Sequence, residues 1–123
     1  MDEKKILKFL IMEGTPKEYR TELWAICSGA KIKLLEYSGY YKNCLKLSQN
    51  IPSLFESQIE KDLPRTNSEF LEKNPEFKHI LKNILVCYSI RNSSIGYIQG
   101  FNTIVAKILE VTQSEVILYN FIL

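Results

Sequence analysis

The chain has 123 residues, of which 46% are hydrophobic and 24% charged, and these are ordinary values for one globular domain. Sixteen basic and fourteen acidic residues leave a net charge of +2, which gives no support to a nucleic-acid-binding or anionic-membrane-binding protein. No apolar run reaches the ~18 residues of a membrane span, and the N-terminus lacks the apolar stretch of a signal peptide.

The apolar residues recur at helical spacing along almost the whole chain, which predicts an all-α fold of about six to seven helices. No strand-like alternation competes with this pattern, and there is no internal repeat. The helices are expected over about residues 3–12, 16–29, 31–47, 53–62, 76–91 and 101–109, with a further helix that opens at Thr112.

Capping signals mark the start of two of these helices. Thr15 is the expected N-cap of the second helix, with Pro16 at its first position and Glu18 completing a capping box. Thr112 and Glu115 form a second capping box, which opens the last helix. The chain then ends within a helical pattern without a cap, so we expect a natural continuation beyond it.

Proline is predicted to end the helix over residues 53–62. Pro64 disfavours the α conformation at the residue before it. Arg65 is therefore expected on a loop just past a helix end.

The three cysteines, Cys27, Cys44 and Cys87, form no CxxC pair, and we expect reduced core cysteines in a cytoplasmic protein.

Several kinds of catalytic site can be set aside. The single histidine, His79, lies on the predicted helix over residues 76–91, where we expect it to be a partly exposed surface residue. The sequence has no zinc-type ligand spacing and no phosphate-binding GxxxxGK[ST] loop, so we expect no metal site. Glu56, Glu60 and Asp62 are interpreted as a solvated helix face, because nothing singles out a paired acid and base.

An arginine and a glutamine on predicted loops remain, and each alone is more often structural than functional. Together they match phosphoryl transfer from GTP. This reaction needs a positively charged group beside the oxygens that gain negative charge, and a carboxamide that orients the attacking water. Arg65 keeps its proton and has a planar guanidinium that suits phosphate. Gln99 offers one acceptor and two donors. Gly96 and Gly100, on either side of it, let the backbone bend or approach another surface closely.

Three motifs in order carry a resemblance to a known family. They are Arg20-x-x-x-Trp24, Ile59-x-x-Asp62-x-x-Arg65-Thr66 and Gly96-Tyr97-x-Gln99-Gly100. The chain resembles the TBC domain, the family of GTPase-activating proteins for Rab GTPases, from about residue 14 to residue 123. The resemblance implies that residues 1–123 form one helical domain, the N-terminal lobe of a two-lobed TBC domain whose C-terminal lobe is missing.

The resemblance also implies roles for individual residues. Arg65 would be an arginine finger and Gln99 a second finger that replaces the water-positioning glutamine of the GTPase. Asp62 would hold the pose of the finger loop, while Tyr97 would pack beside Gln99 and line the surface that faces the GTPase. The residues expected to support the site or contact the partner are Asp62, Thr66, Tyr97, Gly96 and Gly100. Those expected to be structural are Trp24, which would anchor the core, Arg20, which would tie the second helix to its neighbours, and Ile59.

The function implied by the resemblance is acceleration of GTP hydrolysis in trans. The partner would be a Rab-family GTPase in its GTP form. The protein would not itself be an enzyme. It would need no cofactor of its own, because GTP and Mg²⁺ are bound by that partner. It would work in the cytoplasm at endomembrane surfaces, with peripheral attachment through the partner. One alternative is a catalytically inactive TBC-like scaffold that binds a GTPase or an adaptor. Another is a helical domain unrelated to GTPases.

Overall fold

The computed structural model describes residues 2–66 and 68–114, and within these ranges the chain is helical and contains no strand. The prediction of an all-α fold is therefore confirmed. In the described ranges, no helix combines the length and the apolar character needed to span a bilayer. The helices are α1 (Glu3–Glu13), α2 (Lys17–Cys27), α3 (Ala30–Glu36), α4 (Tyr40–Asn50), α5 (Glu56–Asp62), a 3₁₀ turn (Leu63–Arg65), α6 (Glu69–Lys73), α7 (Glu76–Arg91) and α8 (Phe101–Thr112).

Helix α7 is the centre of the described fold. It packs against α4, α5, α6 and α8. Its residues 84–87 are buried one after another, which requires neighbours on every side of the helix. The largest fully buried side chains of the core are Ile59, Leu81, Ile84, Leu85, Cys87 and Leu109. The core thus joins α5 to α8 through α7.

The predicted single helix over residues 31–47 is wrong, because the chain forms α3 and α4 with a turn between them. Gly39 precedes α4 with a φ of 81°. A residue with a side chain pays a steric cost in this left-handed conformation, whereas glycine does not. The apolar and tyrosine pattern continues through this region, so periodicity alone did not show the break.

The predicted end of the helix at Asp62 matches the end of α5, but the predicted loop after it is wrong, because the chain continues into the 3₁₀ turn. Leu63 keeps a right-handed helical conformation, with φ −55° and ψ −48°. Pro64 lies in the first turn of the 3₁₀ segment, where its missing N–H costs no hydrogen bond. Arg65 is therefore the last residue of a helical turn and not a loop residue. In addition, α5 begins at Glu56, three residues later than expected.

The capping box predicted at Thr15 does not form. Pro16 is the residue before α2, and no side chain caps the helix. Instead, the carbonyl of Thr15 accepts a 2.8 Å hydrogen bond from Nε of Arg20. Arg20 therefore ties α2 to the segment that precedes it.

Trp24 is half-buried and lies outside the core cluster of the described residues. The prediction that it anchors the core is therefore wrong for this part of the chain.

The second predicted capping box cannot be compared, because Glu115 and the helix it would open lie outside the described residues. Thr112 itself is the last residue of α8. Two cysteines match the prediction of buried thiols, Cys44 and Cys87, whereas Cys27 is exposed at the end of α2.

Candidate functional site

Arg65 lies at the end of the 3₁₀ turn with its side chain exposed to solvent. Across residues 2–66 and 68–114, no carboxylate or other side chain pairs with its guanidinium. The turn beneath it is held by Thr66, whose N–H donates to the carbonyl of Leu63 at 3.1 Å. The hydroxyl of Thr66 also donates to the carbonyl of Asp62 at 3.1 Å. The backbone around Arg65 is thus fixed, while its charge is available to a partner.

Gln99 lies at the tip of a tight turn between α7 and α8. The N–H of Phe101 donates to the carbonyl of Ile98 at 3.1 Å, so Gln99 and Gly100 are the two central residues of a four-residue turn. Gly100 has a φ of 105°, a conformation that favours glycine at the third position of such a turn. The side chain of Gln99 is exposed. The turn therefore presents the amide away from the protein core.

Gly96 allows a ring to lie against the loop that carries Gln99. Its φ is 65°, and a Cβ built at this position would collide with the aromatic ring of Phe55. Gly96 thus permits a close approach, but the approaching surface belongs to the protein itself, and an approach to a partner stays a prediction. Phe55, the residue before α5, packs against Gly96 and so helps to fix the start of this loop.

Tyr97 is buried, with only 4% of its surface exposed, and so the expectation that it lines an outward surface is wrong. Its hydroxyl donates a 2.8 Å hydrogen bond to Oδ2 of Asp62. Its ring packs edge-on against Phe101, with the ring centres 6.2 Å apart. Burial raises the pKa of Tyr97 far above its ordinary value, and the hydrogen bond and negative charge of Asp62 add to that rise. Tyr97 is therefore a neutral donor inside the protein.

Asp62 is likewise buried, which contradicts its assignment to a solvated helix face. Its carboxylate binds Tyr97, and its carbonyl accepts hydrogen bonds from Thr66 and Asn102. The other two carboxylates of that predicted face behave as expected and lie at the surface, where Glu56 and Glu60 bind Nζ of Lys82 at 3.3 and 2.6 Å. The hydrogen bond that Nζ of Lys82 donates to Glu60 is the main cause of a raised pKa at Lys82.

Asn102 completes the site and was not singled out from the sequence. Its side chain is buried on α8 and donates from Nδ2 to Oγ1 of Thr66 at 2.9 Å. Its Oδ1 accepts a 3.2 Å hydrogen bond from the N–H of Gly100. A signal was present in the sequence, because an amide at position 102 shares the apolar face of α8 with Val105, Ala106 and Leu109. A polar residue in such a stripe indicates a buried hydrogen-bond network.

Four polar side chains thus join the two predicted finger segments: Asp62, Thr66, Tyr97 and Asn102. Arg65 directly precedes Thr66, which belongs to this network. Gln99 directly precedes Gly100, whose N–H donates to Asn102. The described ranges hold no group of three His, Cys, Asp or Glu side chains that could bind a metal ion. His79 is exposed, as predicted, and pairs with Asn83.

A family model described as the Rab-GTPase-TBC domain matches residues 17–122. This match covers most of the chain and includes every residue of the network. The chain belongs to the Rab-GTPase-TBC domain family.

Relatives and a solved structure agree with this assignment. The chain is 34% identical over 118 residues to Growth hormone-regulated TBC protein 1 of Xenopus laevis, covering 92% of this chain and 34% of that protein. It is 33% identical over 112 residues to TBC1 domain family member 2A of Ailuropoda melanoleuca, covering 89% of this chain and 12% of the relative. The crystal structure of the Chlamydomonas flagellar RabGAP TBC domain matches 98% of this chain and 42% of its own, with a TM-score of 0.84 and 27% identity.

This TBC chain therefore spans about a third of the length of the Growth hormone-regulated TBC protein it matches. Of its three motifs, the second and third meet in the buried network, whereas the first lies on α2. Arg20 bonds to Thr15 and not to either predicted finger segment. Helix α2 reaches α8 at the end far from Asn102, where Thr21 donates to the carbonyl of Val111 at 2.8 Å. Ile59 is fully buried and anchors α5 three residues before Asp62, which agrees with its predicted structural role.

Proposed function

We propose that this TBC domain accelerates GTP hydrolysis by a Rab-type small GTPase, to which it supplies Arg65 and Gln99 in trans. The proposal fits the family and rests on one observation in particular. Two exposed side chains of the required chemistry emerge from segments that a buried network ties together. A catalytic group gains most when its position is fixed before the partner arrives, because the cost of ordering it has then been met during folding.

Arg65 would stabilise the charge that develops during phosphoryl transfer. Water attacks the γ-phosphorus, the bond to the β–γ bridging oxygen breaks, and negative charge builds on the phosphate oxygens. A guanidinium keeps its proton at any physiological pH and presents parallel N–H donors to such oxygens. Arg65 is suited to this role because no carboxylate within the described ranges neutralises it.

Gln99 would orient the attacking water. Its side-chain carbonyl can accept a hydrogen bond from the water while its NH₂ group holds a backbone or phosphate oxygen. Neither Gln99 nor Arg65 has to change protonation state in this mechanism, so no tuned pKa is required at either position. GTP and Mg²⁺ belong to the GTPase, and the activator would contribute no cofactor. The protein would act in the cytoplasm and reach endomembranes through its partner.

Phosphate release from a panel of GTP-loaded Rab proteins tests the proposal, using the complete protein that carries residues 1–123. We expect at least one Rab to hydrolyse GTP about 10³ to 10⁵ times faster than it does alone, the range that an arginine supplied in trans provides. Binding of each Rab in its GTP form is measured in parallel. Tight binding without acceleration would favour the inactive scaffold, and the absence of both would reject a Rab partner from this panel.

A further inference from the structure

We propose that Asn102 is a positioning residue that couples the Arg65 segment to the Gln99 turn, so that a structural change in one segment alters the stability or position of the other. Its catalytic consequence rests on the function proposed above, whereas the coupling itself is a property of the folded chain. Asn102 touches neither the GTPase nor its substrate in this proposal. It acts by fixing where the two fingers stand relative to each other.

A single side-chain amide bridges the two segments. Nδ2 of Asn102 donates to Oγ1 of Thr66, the residue directly after Arg65, at 2.9 Å. Oδ1 of the same amide accepts from the N–H of Gly100, the residue directly after Gln99, at 3.2 Å. A longer contact of 3.4 Å runs from Nδ2 to the carbonyl of Asp62. The side-chain amide of Asn102 is therefore bonded to the residue that directly follows each proposed finger.

The chemistry of the partners determines which way the amide points. The N–H of Gly100 can only donate, so it requires an oxygen, and the carbonyl of Asp62 can only accept, so it requires a nitrogen. With the amide reversed, its NH₂ group would face the N–H of Gly100, and its oxygen would face the carbonyl of Asp62. An aspartate at this position could keep the bond to Gly100 but could not donate to the carbonyl of Asp62. The position therefore needs a group that donates on one side and accepts on the other.

Burial makes these bonds directional constraints. Asn102 is 6% exposed, so water cannot easily replace a partner that moves away. Thr66 is constrained in turn, because its hydroxyl donates to Asp62 while it accepts from Asn102. A shift of about 1 Å in a group that positions reacting atoms can reduce a rate by about 10²-fold. Coupling through Asn102 would therefore matter more to the rate of hydrolysis than to the binding of a partner.

Amide hydrogen exchange followed by NMR tests the coupling without any GTPase. Thr66→Val keeps the shape of the side chain and removes the hydroxyl that Asn102 holds. We expect the Gly100 amide to exchange faster by up to about tenfold, the effect of weakening one hydrogen bond, although Gly100 is distant in sequence. Amides of the α7 core serve as the reference for any change in global stability. An unchanged Gly100 exchange rate, relative to that core, would overturn the coupling.

A matched control comes from the same stretch of chain. Ser68→Ala removes the hydroxyl that caps α6, where Oγ of Ser68 accepts from the N–H of Leu71 at 3.3 Å. This change loosens a neighbouring helix without touching the network. We expect faster exchange at Leu71 and an unaltered rate at Gly100. Faster exchange at Gly100 in this control as well would show general loosening, and would also count against the coupling.

The catalytic readout uses the complete protein and a Rab that it accelerates. We expect Asn102→Asp to lower the maximal rate by about 10²-fold with little change in the concentration of Rab needed for half of that rate. In a Gln99→Ala background the same substitution should cost much less, because one of the two groups it aligns is gone. Equal losses in both backgrounds would overturn the positioning role. If no Rab is accelerated by the wild type, the proposed function fails, while the exchange result still decides the coupling.

Discussion

The hydroxyl of Tyr97 donates a 2.8 Å hydrogen bond to Oδ2 of Asp62, and both side chains are buried. Tyr97 stands two residues before Gln99, and Asp62 stands three residues before Arg65. The pair therefore joins the glutamine motif of the TBC domain to its arginine motif. With Asn102 and Thr66, it makes the two motifs one structural unit, on which the side chains of Arg65 and Gln99 are exposed.

Replacing Gln99 should distinguish one finger from two. If Gln99 orients the water, a Rab whose own catalytic glutamine is changed to alanine should still be activated by the wild-type protein. Gln99→Ala should then lose most of its activity towards both forms of the Rab, with little loss of ground-state binding, because the amide acts mainly in the transition state. The measurement is single-turnover GTP hydrolysis with both partners. A refractory glutamine-deficient Rab, together with an active Gln99→Ala protein, would leave Arg65 as the single finger.

Replacing Arg65 should remove activation and leave the fold intact. We expect Arg65→Ala to reduce the stimulated rate by about 10³ to 10⁵-fold with an unchanged melting temperature, since Arg65 is exposed. Arg65→Lys should restore little, because lysine lacks the planar fork. Lys61→Ala controls for the loss of one positive charge, since Lys61 is exposed on the last turn of α5. Stimulation by Arg65→Ala within a few-fold of the wild type would reject the finger role.

Removing the Tyr97 hydroxyl should destabilise the domain. Tyr97→Phe leaves the buried Asp62 carboxylate without its donor, and we expect a loss of about 1–3 kcal/mol in the free energy of unfolding by urea titration. The ring of Phe101, packed edge-on against Tyr97, keeps its partner in this variant. Stability equal to that of the wild type would mean that water serves Asp62 equally well.

The same tyrosine should make the domain sensitive to alkali. The native pKa of Tyr97 is raised above its ordinary value of 10.0 by burial and by Asp62, so the folded state holds this proton more tightly than the unfolded state does. Its contribution to stability is therefore complete below about pH 10 and falls as the pH rises further. Tyr97→Phe should lose stability less steeply than the wild type above that pH. Parallel slopes in urea titrations would contradict this.

Gly96 should be more costly to replace than another glycine of positive φ. Alanine at Gly39 meets no atom within 4 Å, so we expect only the left-handed backbone cost of about 1–2 kcal/mol. Alanine at Gly96 pays a similar cost and must also displace the ring of Phe55. Gly96→Ala should therefore melt at a lower temperature than Gly39→Ala, and Phe55→Leu should recover part of the difference. Equal melting temperatures would show that the ring yields without cost.

The parts of the fold that follow from periodicity were predictable. Helices α7 and α8 lie where their apolar stripes placed them, because burial against a core imposes a helical repeat on the sequence. The break at Gly39 and the 3₁₀ turn at Pro64 were missed, since both depend on backbone conformations that tertiary packing selects. Local propensity disfavours a helical Leu63 before proline without excluding it.

The site shows the same division. Motif spacing pointed to Arg65 and Gln99, whose side chains are exposed as a trans-acting role requires, and that role stays a prediction. Tyr97 was placed at the surface, because a motif shows which residues matter but not which way they face. Asn102 was missed because its three contacts bring together segments that are far apart in the chain. A polar residue in an apolar stripe signals that such partners exist but does not identify them.

The long sequence separations within the network also bear on folding. Tyr97 and Asp62 are 35 residues apart, and Asn102 lies 36 residues from Thr66 and 40 from Asp62. Each bond closes a loop that contains α6 and α7, and its entropic cost is repaid only once those helices have packed. Arg65 and Gln99 therefore have no fixed relation to each other in a partly folded chain. If Arg65 and Gln99 act as proposed, activation of a Rab should appear only once these long-range contacts have formed, and a partly folded chain should show none.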